Sequence, residues 1–191
     1  MASAQPTERE LDDVTLLRAQ QGHAAAFRVL VELHQDAVFA LIWRILGSRA
    51  QAAVVEDLAQ TTFLGVYRAL PRFRREGSAR LSTWILAIAV RTALKERRGA
   101  RPMVSLDEVD DTASSAASAD RSVADRDFAA ALARALDQLP LSFRTVFVLR
   151  EYHGLDYGEI ATALEVDLGT VKSRLSRARG ELREQLKEFA P

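Results

Sequence analysis

The side chains with the clearest chemical purpose are Thr170, Lys172, Ser173, Arg174, Ser176, Arg177 and Arg179, inside the stretch Asp156 to Arg179. Their chemistry is recognition, not bond making. Lys and Arg attract phosphates and donate to base edges, while Ser and Thr hydroxyls donate or accept. Such groups read a duplex only if a helix presents them on one side. Val171, Leu175, Ala178 and Leu182 recur at steps of four, three and four, which defines a buried face and leaves Lys172, Ser173, Ser176, Arg177 and Gly180 on other faces, with Arg174 and Arg179 at their flanks.

The elements that must hold this helix are also legible. Asp156 and Glu159 have the N-cap and N3 spacing of a capping box, so a short helix is predicted from Tyr157, with Ile160, Ala161 and Leu164 on one face. Glu165-Val166-Asp167 is too short and polar to continue that face, and Asp167 can cap the next helix. The result is a helix-turn-helix, in which the first helix braces and the second enters the major groove. An ordinary amphipathic hairpin with a solvated basic face would explain the charge alone; cap, turn, core spacing and charge together favour the DNA-reading motif.

A second concentration of cations runs from Arg68 to Arg101: Arg68, Arg72, Arg74, Arg75, Arg80, Arg91, Lys95, Arg97, Arg98 and Arg101, against only Glu76 and Glu96. After Pro71 a basic loop leads into a helix expected to start near Ser82-Thr83, both able to cap it. Ile85, Ile88, Ala89 and Thr92 form its predicted buried face, and Trp84, Ile88, Arg91, Lys95 and Arg98 a partly basic stripe. Cations near a helix C-terminus complement its dipole and account for Lys95, Arg97 and Arg98. The basic loop ahead of the helix has no such explanation. Arginines beside an aromatic suit an opened strand, whose phosphates are drawn in and whose unstacked bases find aromatic or polar pockets.

From Val104 to Asp127 the sign reverses: Asp107, Glu108, Asp110, Asp111, Asp120, Asp125 and Asp127 face only Arg121 and Arg126. The formal net charge of +0 therefore hides two basic regions separated by an acidic one. This Ser-, Ala- and Asp-rich stretch lacks a sustained apolar period and is expected to be a flexible linker. The remainder reads as helix, and the expected fold is all-α: two small helical domains, an N-terminal bundle and a C-terminal helix-turn-helix domain. The expected boundaries are 1–10 for a flexible tail, 11–103, a linker at 104–126, and 127–191.

In the first domain the expected helices are Leu11 to Gln21, Ala24 to Leu46, Ser48 to Leu70 and the basic one. The apolar face of the second, Trp43 included, is read as core. The third should bury Val55, Leu58, Ala59, Phe63 and Val66 and expose Glu56, Asp57, Gln60 and Thr61. Spacing alone makes Glu56-Asp57 a solvated pair favourable to the helix dipole. With no cysteine and only His23, His34 and His153, the chain offers neither a disulfide nor zinc-site spacing, and no metal or cofactor is expected. It has no phosphate-binding GxxxxGK loop, and its polar, acidic N-terminus is not expected to act as a leader peptide. No segment approaches the roughly 18 consecutive apolar residues of a membrane span. A non-enzymatic cytoplasmic protein with no small-molecule substrate and no membrane insertion is expected.

The chain resembles the extracytoplasmic-function (ECF) group of bacterial sigma factors. Leu139-Pro140, Phe143 to Arg150 and Tyr157 to Arg179 are similar to that family's fourth conserved region, Gly169 to Arg174 being the most specific segment. Glu56-Asp57-Leu58-Ala59-Gln60-Thr61-Thr62-Phe63 is similar to the second region, and Ala79 to Trp84 followed by Ile88-Ala89 to the segment that captures a flipped base of the −10 element. The resemblance covers Leu11 to Arg101 and Asp127 to Phe189.

It implies that Glu56, Asp57, Gln60 and Phe63 serve docking on core RNA polymerase, on the clamp of the largest subunit, with a further contact to the flap. Asp57 and Gln60 would make the polar contacts, with Glu56 nearby and Leu58 and Phe63 holding the helix. Arg80, Ser82, Thr83, Trp84, Arg91, Lys95 and Arg98 would serve −10 recognition on single-stranded DNA. The helix-turn-helix would read duplex at −35, with Arg174 and Arg179 on phosphates. The linker would thread through the polymerase, and an anti-sigma factor is implied as a further partner. The chain departs from the family pattern in four places. Arg91 stands where asparagine is common, Glu165 where a small residue is common, Leu81 replaces a frequent phenylalanine, and the loop from Phe73 to Trp84 is longer than usual. A stand-alone helix-turn-helix regulator is the alternative; it would need a dimer surface that the sequence does not offer and would leave Glu56 to Phe63 unexplained.

Overall fold

A computed structural model of the chain describes residues 10–74, 80–99 and 123–189. The tail, most of the predicted linker and the tip of the basic loop lie outside these. Among the described residues the regular structure is helical: α1 Asp13–Gln20, α2 Ala24–Leu46, α3 Ala52–Ala69, α4 Leu81–Gly99, α5 Val123–Gln138, α6 Leu141–Glu151, α7 Tyr157–Leu164 and α8 Leu168–Gln185.

Helices α1–α4 form an N-terminal unit. Asp12 caps α1, its carboxylate accepting from the Thr15 backbone at 2.9 Å. At the other end of α1 the Gln20 amide donates to the Leu70 and Phe73 carbonyls at 3.2 and 2.8 Å, tying it to the turn after α3. The long α2 lies against α1, α3 and α4 and contributes Leu30, Val38, Leu41, Ile42 and Ile45, all fully buried. Trp43 was expected in the core but remains 37% exposed, because it sits on a side of α2 that no neighbour covers fully. The third helix begins at Ala52 and not at Ser48, since Gly47–Arg49 forms a 3₁₀ turn first.

In the C-terminal unit α8 is the hub, packed by α5, α6 and α7. Val171, Leu175, Ala178 and Leu182 are buried as the spacing predicts. The helix α5 starts at Val123, inside the stretch read as linker.

The two units do not stand apart. α7 packs on α4, α6 on α2, and α5 on the turn after α2. Arg144, only 2% exposed, lies at this junction. Its guanidinium pairs with Asp137 at 2.9 Å, donates to the Asp137 carbonyl, and reaches the Ile45 carbonyl at 3.4 Å. Asp137 also accepts from the Ser48 backbone at 3.1 Å. Burial acts to raise the Asp137 pKa, but the Ser48 hydrogen bonds and the Arg144 charge hold it below the ordinary carboxylate value. The backbone makes room for this pair at Gly47, whose φ of +61° and lack of a side chain are both needed, since a Cβ would collide with the carboxylate and the guanidinium. A cation–π contact adds to the junction, with Arg44 of α2 at 4.2 Å from the Tyr152 ring centroid.

Candidate nucleic-acid and polymerase interfaces

The helix-turn-helix is assembled by local hydrogen bonds. Asp156 accepts from the Glu159 backbone at 2.8 Å and Glu159 from the Asp156 backbone at 2.8 Å, a complete capping box at the start of α7. Asp167 caps α8 through the Thr170 backbone at 2.7 Å and takes the Thr170 hydroxyl at 2.6 Å. Those bonds, the hydroxyl first, hold the Asp167 carboxyl below its ordinary pKa. Thr170 is thereby committed to the cap. Lys172, Ser173, Ser176 and Arg177 are exposed on the side of α8 away from its buried residues, and Arg174 is half-buried beside them. Ser173 donates its hydroxyl back to the Thr170 carbonyl at 3.0 Å. Arg179 binds Glu151 at 2.6 Å, so it braces α8 on α6 before any phosphate is present. This face offers donors to a groove and acceptors from its hydroxyls, and nothing nucleophilic.

On α3 the exposed row is the expected one. Glu56, Asp57, Gln60 and Thr61 face outward, and Leu58 and Phe63 are 8% and 9% exposed. Phe63 therefore anchors the helix and presents no surface of its own.

The basic helix differs most from expectation. It begins at Leu81, whose side chain is 1% exposed, and its first backbone bond runs from Trp84 to the Arg80 carbonyl at 3.0 Å. Ser82 and Thr83 consequently lie inside the first turn and do not cap it. Both are buried; the Ser82 hydroxyl has no hydrogen-bond partner, and the Thr83 hydroxyl donates to Glu159 of α7 at 2.8 Å. Arg91 binds Glu165 at 3.0 Å, and Arg97 donates to the Leu46 carbonyl at the end of α2 at 3.3 Å, the place where the helix dipole favours a cation. Lys95 is exposed, as is Arg80, while the Arg98 side chain lies outside the described residues. Phe73 and Trp84 meet with ring centroids 4.9 Å apart, and with Arg68, Ala69 and Arg72 they line an open groove of about 410 Å³. Arginine beside a tilted aromatic pair is a surface suited to an unpaired nucleotide. Arg68 and Arg72 were read from the sequence only as part of a charge run; their place beside Phe73 and Trp84 comes from the turn after α3.

Two family models match the chain: Sigma-70 region 2 over residues 30–102 and Sigma-70, region 4 over residues 129–182. The RNA polymerase sigma-H factor of Pseudomonas aeruginosa is 35% identical over 181 residues, covering 90% of this chain and 91% of that protein. The ECF RNA polymerase sigma-E factor of Escherichia coli K12 is 33% identical over 183 residues, covering 91% and 93%. The chain belongs to the ECF group of the sigma-70 family.

Among solved structures, CnrH in complex with the cytosolic domain of CnrY matches with a TM-score of 0.65 at 24% identity, over 93% of this chain and 97% of that one. The sigma factor RpoE bound to the anti-sigma factor NepR from Bartonella quintana gives 0.62 at 23% identity, over 84% and 96%. The all-helical fold of this sigma factor is thus shared across both units. As a sigma factor it acts in promoter recognition and the initiation of transcription. The region 2 match contains α3 and α4, and the region 4 match contains α7 and α8 as far as Leu182. No helix among the described residues is long and apolar enough to cross a membrane.

Proposed function

We propose that this sigma factor divides promoter reading between its two units. Lys172, Ser173, Ser176 and Arg177 contact base edges of the −35 element in the major groove, with Arg174 and Arg179 at the flanking phosphates and Thr170 serving through the α8 cap that sets the helix. In the N-terminal unit Arg80, Ser82, Thr83, Trp84, Arg91, Lys95 and Arg98 serve the separated −10 strand, beside the groove of Phe73 and Trp84. Glu56, Asp57 and Gln60 dock on the polymerase clamp, with Phe63 fixing the helix from within. Binding energy does the work: the open strand is bound better than the duplex, which offsets the few kcal/mol needed to unstack a base. No covalent chemistry is required, the protein acts in the cytoplasm, and an anti-sigma factor is its natural antagonist. The boundaries 11–103 and 127–191 define the two reading units, joined by 104–126.

The observation that carries this reading is α8 itself, a capped helix with Lys172, Ser173, Ser176 and Arg177 exposed opposite a closed apolar seam. A base-reading Lys172 predicts that Lys172→Ala changes the ranking of −35 variants in holoenzyme binding, costing about 1–3 kcal/mol at one position. An equal loss on every variant would move Lys172 to the phosphates.

A further inference from the structure

The helix predicted to read the −10 strand is covered by the motif predicted to read −35. Thr83, 8% exposed, gives its hydroxyl to Glu159, and Arg91 gives its guanidinium to Glu165. Both acceptors belong to the helix-turn-helix, at the start and just past the end of α7. Between them Ala87 and Val90 are 7% and 0% exposed, one and two turns on from Thr83 along the same side of α4. An amphipathic helix with one buried face would leave that side to solvent.

Glu165 is also the place where the backbone is least at ease. Its φ of 56° and ψ of 45° are left-handed, and it is the sole residue other than glycine with positive φ among the described residues. That conformation ends α7 and is normally given to Gly or Asn. A glutamate accepts the strain and gains a carboxylate 3.0 Å from Arg91. Glu159 serves twice: one oxygen closes the capping box and the other takes the Thr83 hydroxyl. Parting the units therefore leaves α7 capped, while it frees its contacts to α4 together with the packing of α6 on α2 and of α5 on the turn after α2.

We propose that the free sigma factor is self-shuttered: its helix-turn-helix unit closes over α4, and Arg91–Glu165 is the latch that sets how often it opens. The side chains are 48% and 74% exposed, so the pair is screened and shifts the open–closed balance only a few-fold; packing of α7 on α4, of α6 on α2 and the Arg144 junction supply the rest. A latch of this strength tunes a closure that packing maintains, and it yields to polymerase docking. It also yields to nucleic acid, because phosphates compete with Glu165 for Arg91. The −10 role of α4 rests on the function proposed above, but closure itself does not.

The test measures closure directly. The chain has no native cysteine, so dyes are placed on cysteines introduced at the exposed Ala53 and Gln185, one in each unit of the full-length protein. Glu165→Arg keeps a long side chain at the left-handed position and sets like charges face to face. It should lower energy transfer, moving the open–closed ratio by roughly threefold to tenfold. Adding Arg91→Glu should restore transfer, which also shows that the single variant remained folded. Thr83→Val should shift the ratio the same way as Glu165→Arg. Unchanged transfer in Glu165→Arg, failure of the double reversal to recover it, or a wild type already as open as the variant would overturn the latch. A random-sequence single-stranded oligonucleotide should lower transfer in the wild type. If the charge reversals behave as expected but the oligonucleotide has no effect, the latch stands and the −10 assignment of α4 falls.

Discussion

At the scale of single residues, the side chains that organise the DNA-reading motif are the ones whose partners lie three positions away. Asp156, Glu159 and Asp167 could be placed from spacing alone, and the structure forms the bonds that spacing implies; Thr170, read as a DNA contact, is instead the partner of Asp167. Removing the Asp156 carboxylate leaves the Glu159 backbone N–H without its partner, so Asp156→Ala should cost about 1 kcal/mol and lower the melting temperature. Thermal unfolding by circular dichroism checks this. His153 shows what spacing could not reveal. Burial, with the nearby charge of Arg44, lowers its pKa to about 4. Unfolded, it would titrate near 6.5, so between these values the unfolded chain binds more protons and stability rises with pH. Acidification from pH 7 to 4 should therefore destabilise the protein, with His153 contributing on the order of 2 kcal/mol. The buried His34, its pKa also lowered by burial, acts in the same direction. In denaturant titrations His153→Gln should flatten the pH dependence across that window; an unchanged slope would contradict the assignment.

At the scale of helices, apolar periodicity located α2, α3 and α8 well because each has one dominant buried face. It misjudged α4. Ile85 and Ala89 face the core as expected, but Leu86, Ala87 and Val90 are buried too, on the side where α7 arrives from more than sixty positions along the chain. No local pattern encodes that arrival. The same long separation explains Ser82 and Thr83, whose residue type suggested caps and whose place is inside the first turn. Two positions where the sequence departs from its family, Arg91 and Glu165, turn out to be each other's partners, which neither suggested alone. On α3 the sequence was sufficient: its outer row is free of core duties. Asp57→Ala combined with Gln60→Ala should thus leave helicity and melting unchanged while weakening core-polymerase binding about tenfold, the loss of two charged or polar contacts. Unaltered affinity in a fluorescence titration would remove α3 from the docking surface.

At the scale of the whole molecule, the packing between the units is centred on the buried Arg144, its partner Asp137 and the glycine that makes space for them. Asp137, Arg144 and Gly47 are far apart in sequence and carry no motif, so their meeting was not legible before the fold was known. Gly47→Ala would force a side chain into a left-handed position and against the pair, and should destabilise the protein by at least about 2 kcal/mol. The loss should show as a lower melting temperature, with α5 and α6 protected least from hydrogen exchange; a neutral substitution would mean that the junction is looser in solution. Both units exist to serve one act, the placing of polymerase at a two-part promoter, and each element gains force from being held at a fixed distance from the other. The most direct test is transcription from a randomised promoter library by sigma-free core polymerase, with and without the protein. Protein-dependent transcripts that start a fixed distance below two enriched motifs are expected. Binding of the isolated protein to a single duplex motif, with no transcript gained, would contradict that expectation.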